Sequence, residues 1–113
     1  MITIYHNPRC SKSRQTLELL KSQGIAPQIN LYLDNPPSAQ TLTTLLTKLD
    51  LKANQLVRRS EQYYKDNLRG MKLTDNELIA AMVKNPKLIE RPIVVAGDRA
   101  ALGRPPEAVL EII

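Results

Sequence analysis

The spacing of apolar residues predicts a strand, a helix and a second strand in the first third of the chain. Isoleucines alternate with other residue types over residues 2–5, which is typical of a short strand. Residues 11–23 carry leucines on one side of a predicted helix, and Gly24 is placed to end it. A second strand is predicted over residues 28–33. Its apolar face consists of Ile29, Leu31 and Leu33.

The middle of the chain is predicted to be helical, with a polar and basic stretch between two helices. Ser38 can cap the first of these helices, which has leucines at helical spacing. Those leucines are Leu42, Leu45, Leu46 and Leu49. Residues 50–73 are polar and basic, and only their middle is weakly helical. Thr74 and Glu77 form a capping box that opens the second helix, which stops before Pro86.

The last part of the chain predicts a hairpin followed by a helix. Residues 92–95 have the apolar run of a buried strand, and a turn then leads into a return strand over residues 99–102. A final helix is predicted to begin at residues 105–107, where two prolines precede a glutamate. The order strand, helix, strand, helical stretch, strand, strand, helix predicts an α/β fold with a mixed sheet.

Length and composition exclude several classes of protein. A chain of 113 residues has room for one domain, and we expect residues 1–113 to form it. The single cysteine, Cys10, excludes a disulfide scaffold, and with the single histidine, His6, it falls short of a zinc site, so no metal is expected. No apolar run is long enough to span a membrane, and the chain leads straight into a strand, so we expect a cytoplasmic protein without a membrane partner.

The net charge of +5 comes from basic residues that are dispersed along the chain. They form no run of five or more, so nucleic acid is not an expected partner. All four aromatic residues are tyrosines, whereas base-stacking RNA modules depend on a sheet of exposed aromatic side chains. The remaining interpretations of the charge are solubility and the binding of a small anion.

Cys10 lies at the junction of the first strand and the first helix. The first turn of a helix presents unpaired N–H groups and a partial positive charge, and both favour the thiolate. The neighbouring basic residues add to this effect, so we predict a reactive thiolate rather than an inert buried thiol. The same features bind oxyanions, and we assign substrate binding to the first turn of this helix. Its residues are Ser11, Lys12, Ser13 and Arg14.

Two familiar thiol chemistries do not fit this motif. A tyrosine-phosphatase loop needs an arginine six positions after the cysteine, but that position holds Thr16, and the arginine is Arg14. The dithiol chemistry of thioredoxin needs a second cysteine at the position of Ser13. An adduct on Cys10 must therefore be resolved by a thiol from outside the chain.

Several segments resemble the motifs of one family. Residues 5–14, with the sequence Tyr-His-Asn-Pro-Arg-Cys-Ser-Lys-Ser-Arg, resemble the opening motif of the glutaredoxin-coupled arsenate reductase family, known as ArsC. Residues 91–95 and 103–107 resemble its two C-terminal motifs, and residues 56–59 stand where the family has its central basic motif. The match runs nearly end to end, and the pattern is most similar to the YfgD-like branch.

The resemblance implies a thioredoxin-like fold with a helical insertion, here over about residues 38–85. It also implies that arsenate is the substrate, that glutathione is a co-substrate and that glutaredoxin is a protein partner, with no bound cofactor. In this chemistry the cysteine attacks arsenate, glutathione adds, glutaredoxin reduces the mixed species, and arsenite leaves. We expect the protein to be a monomer.

The resemblance also assigns roles to individual residues. Cys10 becomes the nucleophile, and Pro92 is expected to follow a cis peptide bond. His6, which precedes the cysteine motif, is either a structural histidine or an imidazolium that lowers the pKa of the thiol. The three family arginines fall on Arg58, Arg91 and Arg104.

Arginine suits this chemistry better than lysine, because its guanidinium fork matches two oxygens of a tetrahedral anion at once. The register of the central arginine stays open, since Arg59 adjoins Arg58. Two other functions also stay open. One is a general glutathione-dependent thiol reductase of unknown substrate, and the other is an Spx-like regulator that binds RNA polymerase. Ser13 in place of a second cysteine disfavours the disulfide switch that such regulators carry.

Overall fold

The computed structural model describes residues 1–113, which fall into two compact units. The first, here called the sheet unit, comprises Met1–Asn35 and Arg91–Ile113. The second, here called the helical unit, comprises Pro36–Glu90. The description of the chain as one domain with a helical insertion over about residues 38–85 stays a prediction. No helix has the length and apolar character needed to cross a membrane.

A four-stranded mixed sheet forms the centre of the sheet unit. The strands are β1 (Ile2–Tyr5), β2 (Gln28–Asn30), β3 (Ile93–Ala96) and β4 (Arg99–Leu102), and their order is β2-β1-β3-β4. Strand β1 runs parallel to β2 and antiparallel to β3, and β3 and β4 form an antiparallel hairpin. The predicted α/β fold with a mixed sheet is therefore confirmed.

One face of this sheet is covered by α1 (Ser11–Ser22) and by the final 3₁₀ helix (Pro106–Glu111). The residues at the centre of this packing are completely buried, and each such aliphatic side chain stabilises the fold by about 1.5–3 kcal/mol. They are Ile4, Leu20, Val94 and Val109. Gly24 follows Gln23, the C-cap residue of α1, and its φ of +76° confirms the predicted helix stop.

The second strand is shorter than predicted. Strand β2 ends at Asn30, because the chain turns there and the N–H groups of Asp34 and Asn35 both donate to the carbonyl of Leu31 at 2.9 Å. The predicted extension to residue 33 was wrong. The three aliphatic residues of the predicted strand do not enter a core, since each is between 37% and 45% exposed on this edge of the sheet. They are Ile29, Leu31 and Leu33.

The helical unit contains α2 (Ala39–Leu49), α3 (Ala53–Leu56) and α4 (Asp75–Lys84), and α4 contacts both other helices. A π-helical turn (Tyr64–Leu68) and a 3₁₀ turn (Pro86–Leu88) are its other helical segments. Both predicted N-terminal caps are confirmed. The leucines predicted at helical spacing face inward, except that Leu49 is only partly buried. The buried residues of α2 and α4 are Leu42, Leu45, Leu46, Leu78, Ile79 and Met82.

Candidate active site

Cys10 is the N-cap residue of α1 and belongs to the loop that leaves β1. Its N–H donates to the carbonyl of Asn7 at 3.0 Å, and its carbonyl accepts the N–H of Arg14 at 3.0 Å as the helix begins. The Asn7 side chain also accepts the N–H of Arg9 at 3.0 Å, which tightens the turn around Pro8. The residue is only 8% exposed, so little of it is accessible to solvent at the start of the helix.

The pKa of the Cys10 thiol lies below its ordinary value. Burial by itself would raise this pKa, but several groups that stabilise the thiolate outweigh it. They are the backbone N–H of Ser13, the guanidinium of Arg91 through both hydrogen bonding and charge, and the backbone N–H of Lys12. The helix N-terminus and one arginine together therefore favour the nucleophilic form of the sulfur.

Two arginines from distant parts of the sequence meet at this sulfur. Arg91 precedes β3 and acts on the Cys10 thiol, and its peptide bond to Pro92 is cis, as predicted. Nη1 of Arg104 lies 4.0 Å from the sulfur and donates to the carbonyl of Arg91 at 3.1 Å. The bond from Arg104 to Pro105 is also cis, which the sequence analysis did not predict. The sheet unit thus places a thiol with a lowered pKa and two cations together.

His6 and Ser13 form a buried pair beneath the Cys10 loop. Nδ1 of His6 lies 2.6 Å from Oγ of Ser13, and the same oxygen accepts the N–H of Asn7 at 3.0 Å. Burial, followed by the charges of Lys21 and Arg14, lowers the pKa of His6 below its ordinary value. The neutral imidazole is therefore favoured at neutral pH, so the geometry supports the structural alternative for His6 over an imidazolium that activates the thiol.

The residues assigned to substrate binding occupy different positions around the helix start. The Ser13 side chain is completely buried in the pair with His6, so its backbone N–H, rather than its hydroxyl, is directed to the thiol. The Arg14 guanidinium donates to the carbonyl of Pro8 at 2.8 Å and so braces the loop. Ser11 is exposed and Lys12 is partly buried in the first turn of α1.

The central basic motif lies in the helical unit. Arg58 pairs with Glu61 at 3.0 Å and with Glu90 at 3.5 Å, and less than a fifth of its side chain is exposed. Arg59 is exposed, and its guanidinium donates to the carbonyl of Asn54 at 3.2 Å. The two neighbours therefore differ in environment, since two carboxylates fix the orientation of Arg58 and a single backbone carbonyl holds Arg59.

Sequence reasoning did not assign a role to Thr16 or to Gly103, which pack against each other next to Pro92. The pattern of hydropathy and charge does not indicate where close packing requires a glycine. The only sequence signal for Gly103 is its position directly before Arg104. No group of three or more histidine, cysteine, aspartate or glutamate side chains is arranged to hold a metal ion.

Comparison with known proteins agrees with this geometry. A model of the ArsC family matches residues 5–112. The chain is 55% identical to the uncharacterized protein YfgD of Escherichia coli, over 99% of this chain and 96% of that protein. It is 47% identical to an arsenate reductase of Haemophilus influenzae, over 99% and 98% of the two chains. The solved structure of an arsenate reductase from Vibrio cholerae superposes with a TM-score of 0.96 at 53% identity, covering 99% of this chain and 97% of that one. The predicted thioredoxin-like fold is thereby confirmed, and the chain belongs to the ArsC family.

Proposed function

We propose that this protein is an arsenate reductase that uses glutathione and glutaredoxin. One observation carries the proposal: the only cysteine of the chain has a lowered thiol pKa at a helix N-terminus, where Arg91 and Arg104 meet its sulfur. A thiolate that is surrounded by anion-binding groups suits an oxyanion substrate. Relatives named arsenate reductase support arsenate as that oxyanion.

The first step is attack of the Cys10 thiolate on arsenic. Arsenate is an anion, so a negatively charged sulfur would repel it in the absence of compensating charge. The guanidinium groups of Arg91 and Arg104 and the N–H groups at the start of α1 offset this repulsion and stabilise the charge of the transition state. A sulfur–arsenic bond forms, one arsenic–oxygen bond breaks, and the hydroxyl oxygen of arsenate leaves as water after taking up one proton from the solvent.

The second step transfers two electrons to arsenic. The chain has no second cysteine, so the thiolate of glutathione attacks the sulfur of the adduct. The electron pair of the sulfur–arsenic bond stays on arsenic, which changes from As(V) to As(III) and leaves as arsenite. Cys10 and glutathione are then joined in a mixed disulfide.

The third step restores the enzyme. A thiolate of glutaredoxin attacks the glutathione sulfur of the mixed disulfide and releases Cys10 as a thiolate. The glutathionyl group moves to glutaredoxin, and further glutathione reduces it there. The lowered pKa of Cys10 favours this release, because a thiol with a low pKa is the better leaving group.

The decisive test couples turnover to NADPH consumption in a mixture of arsenate, glutathione, glutaredoxin and glutathione reductase. We expect arsenate-dependent turnover that requires glutathione and is accelerated by glutaredoxin. Without glutathione, at most one adduct per chain should form. Cys10→Ser should abolish turnover and leave the thermal melting of the protein unchanged. A mixed disulfide between Cys10 and glutathione should be detectable by mass spectrometry.

The alternatives predict other results. Sustained turnover with thioredoxin as the sole reductant would contradict the glutathione mechanism, because a dithiol partner would then resolve the adduct directly. Release of glutathione from a glutathionylated peptide, without any arsenate turnover, would favour a general thiol reductase. Capture of RNA polymerase by the protein, again without arsenate turnover, would favour the regulator.

The central arginine is assigned by comparing Arg58→Lys with Arg59→Lys. If Arg58 carries the family role, only its lysine variant should lower kcat/KM for arsenate. Because Arg58 pairs with Glu61 and Glu90, the thermal melting of the Arg58→Lys protein must be measured together with its activity. A loss of activity in Arg59→Lys alone would move the assignment to Arg59.

A further inference from the structure

A close packing contact joins α1 to the chain segment that carries Arg104. Thr16 is completely buried in α1, and Gly103 stands between β4 and Arg104. A Cβ atom added to Gly103 would overlap the hydroxyl oxygen of Thr16, and it would lie 2.7 Å from Cγ of Pro92 and 3.0 Å from Cγ2 of Thr16. Only glycine fits this space, because the backbone approaches two side chains that cannot withdraw.

The contact involves all three parts of the chain that build the site. Thr16 lies on the helix that Cys10 caps, Pro92 directly follows Arg91, and Gly103 directly precedes Arg104. The N–H of Gly103 also donates to the carbonyl of Pro92 at 2.9 Å. The separation between the helix and the two arginine-bearing segments is therefore fixed by packing at this point.

We propose that Thr16 and Gly103 are positioning residues, which hold Arg91 and Arg104 at the sulfur of Cys10. Nη1 of Arg104 is 4.0 Å from that sulfur, and at such a distance the attraction between the charges falls noticeably with each added ångström. The catalytic part of this inference depends on the proposed reduction of arsenate, whereas its effect on the thiol does not.

Shape, rather than hydrogen bonding, gives Thr16 this role. Its hydroxyl donates to the carbonyl of Lys12 within α1 at 2.8 Å, whereas the carbonyl of Gly103 is 3.4 Å away. The bond inside the helix is the better one, so the hydroxyl fills space beside Gly103 but contributes little hydrogen bonding to it. Valine, which has the shape of threonine, should therefore preserve the spacing, and a larger side chain should disturb it.

The test is the pH dependence of alkylation of Cys10 by iodoacetamide, measured on the intact protein. We expect Gly103→Ala to raise the midpoint of this titration, because the added methyl group crowds Pro92 and Thr16 and so displaces Arg91, which precedes Pro92, together with Arg104 from the thiol. We also expect kcat/KM for arsenate to fall by about tenfold or more, since a small misplacement of a charged group is costly in catalysis. Thr16→Ile should act in the same direction from the opposite side of the contact.

Gly97 provides the matched control. It lies in the β3–β4 turn with a φ of +62°, and a Cβ atom there would meet open space. Gly97→Ala should therefore lower the melting temperature through backbone strain but leave the alkylation midpoint unchanged. A general loss of stability would move both glycine variants alike, whereas a positioning role separates them.

Second-site variants test the contact itself. Thr16→Val should keep the wild-type midpoint. Adding Thr16→Ala to Gly103→Ala removes both Thr16 atoms that the new methyl group would meet, so the midpoint should return partway towards that of the wild type. The return should be incomplete, because the ring of Pro92 still crowds the methyl group.

The outcomes distinguish this inference from the proposed function. Wild-type alkylation midpoints in folded Gly103→Ala and Thr16→Ile proteins would overturn the positioning role even if arsenate is reduced. If Gly103→Ala does not fold, Thr16→Ile alone decides the question. Shifted midpoints in a protein that never reduces arsenate would support the positioning role and refute the proposed function.

Discussion

Replacement of Arg104 tests the site most directly, because this residue meets the thiol from the far end of the sequence. Nη1 of Arg104 lies 4.0 Å from the sulfur of Cys10 and is held by the carbonyl of Arg91. Arg104→Lys keeps the charge and removes the two-pronged donor. Arg104→Met removes both and keeps an unbranched chain. The two variants therefore separate oxyanion recognition from the effect of charge on the thiol.

The expected magnitudes follow from these contacts. A hydrogen bond to a charged group is worth about 1.5–3 kcal/mol. A guanidinium can donate two such hydrogen bonds to an oxyanion, and lysine would lose one of them. Arg104→Lys should therefore lower kcat/KM by about 10- to 10²-fold. Two unit charges at 4 Å attract by about 1 kcal/mol in a water-like environment. Because Arg104 is exposed, the attraction in a water-like environment applies to it. Arg104→Met should therefore lower kcat/KM by roughly a further fivefold.

Two assays with different reagents separate these contributions. Arsenate turnover measures oxyanion recognition and charge together, whereas alkylation by iodoacetamide, which is uncharged, measures only the state of the thiol. Near neutral pH we expect Arg104→Lys to alkylate almost as fast as the wild type and Arg104→Met to alkylate several times more slowly. Arg99→Met is the matched control, because Arg99 is an exposed arginine at the start of β4.

Three results would refute this reasoning. Wild-type kcat/KM in both Arg104 variants would show that Arg104 does not bind the oxyanion. Unchanged alkylation in Arg104→Met would show that its charge does not act on the sulfur. An equal loss of activity in Arg99→Met would show that the net charge of the protein, rather than a local contact, is responsible.

Further predictions concern stability. Leu20→Ala, in the fully buried core, should lower the free energy of unfolding by about 2–5 kcal/mol in urea denaturation, and a cost below about 1 kcal/mol would contradict the assigned core. Thr74→Ala should cost about 1 kcal/mol through loss of the α4 cap, and an unchanged urea midpoint would argue against the capping box. The pKa of His6 in the folded protein is lowered by burial and by the charges of Lys21 and Arg14, so His6 binds a proton more readily in the unfolded chain. The stability that neutral His6 contributes is therefore fully present above pH 6.5, and it is lost as the pH falls through the lowered pKa of the folded state. His6→Asn should reduce the loss of stability at acidic pH. An unchanged dependence of the urea midpoint on pH would exclude His6 as the source of that loss.

Features that depend on near neighbours in the chain could be predicted from the sequence. The position of Cys10 at the start of α1 follows from a strand, a turn with Asn7 and Pro8, and a helical pattern, which are all local. The caps of α2 and α4 depend on residues three positions apart, and the glycine that ends α1 acts on its own backbone. The order of these elements then restricts the sheet to a mixed one.

The environment of β2 is a property of the folded molecule. The sequence pattern of aliphatic residues predicts a strand through residue 33, but β2 lies at the edge of the sheet and pairs only with β1. A turn at Leu31 ends it early, and the residues beyond it remain exposed. Alternation shows which residues share a face of a strand, and only the tertiary structure decides whether that face is covered.

The arrangement around the sulfur required the tertiary structure as well. The resemblance to ArsC assigned Arg91 and Arg104 to the site, but their approach to Cys10 spans up to 94 positions of sequence and is fixed by the sheet register and by packing of Gly103 against Thr16. His6 lies close to Cys10 in the sequence, which suggests an imidazolium that activates the thiol, yet burial beside Ser13 favours the neutral form of His6. A sequence states which groups are available, whereas charge, pKa and contact depend on burial and on distances of a few ångströms, which exist only once distant segments have packed together.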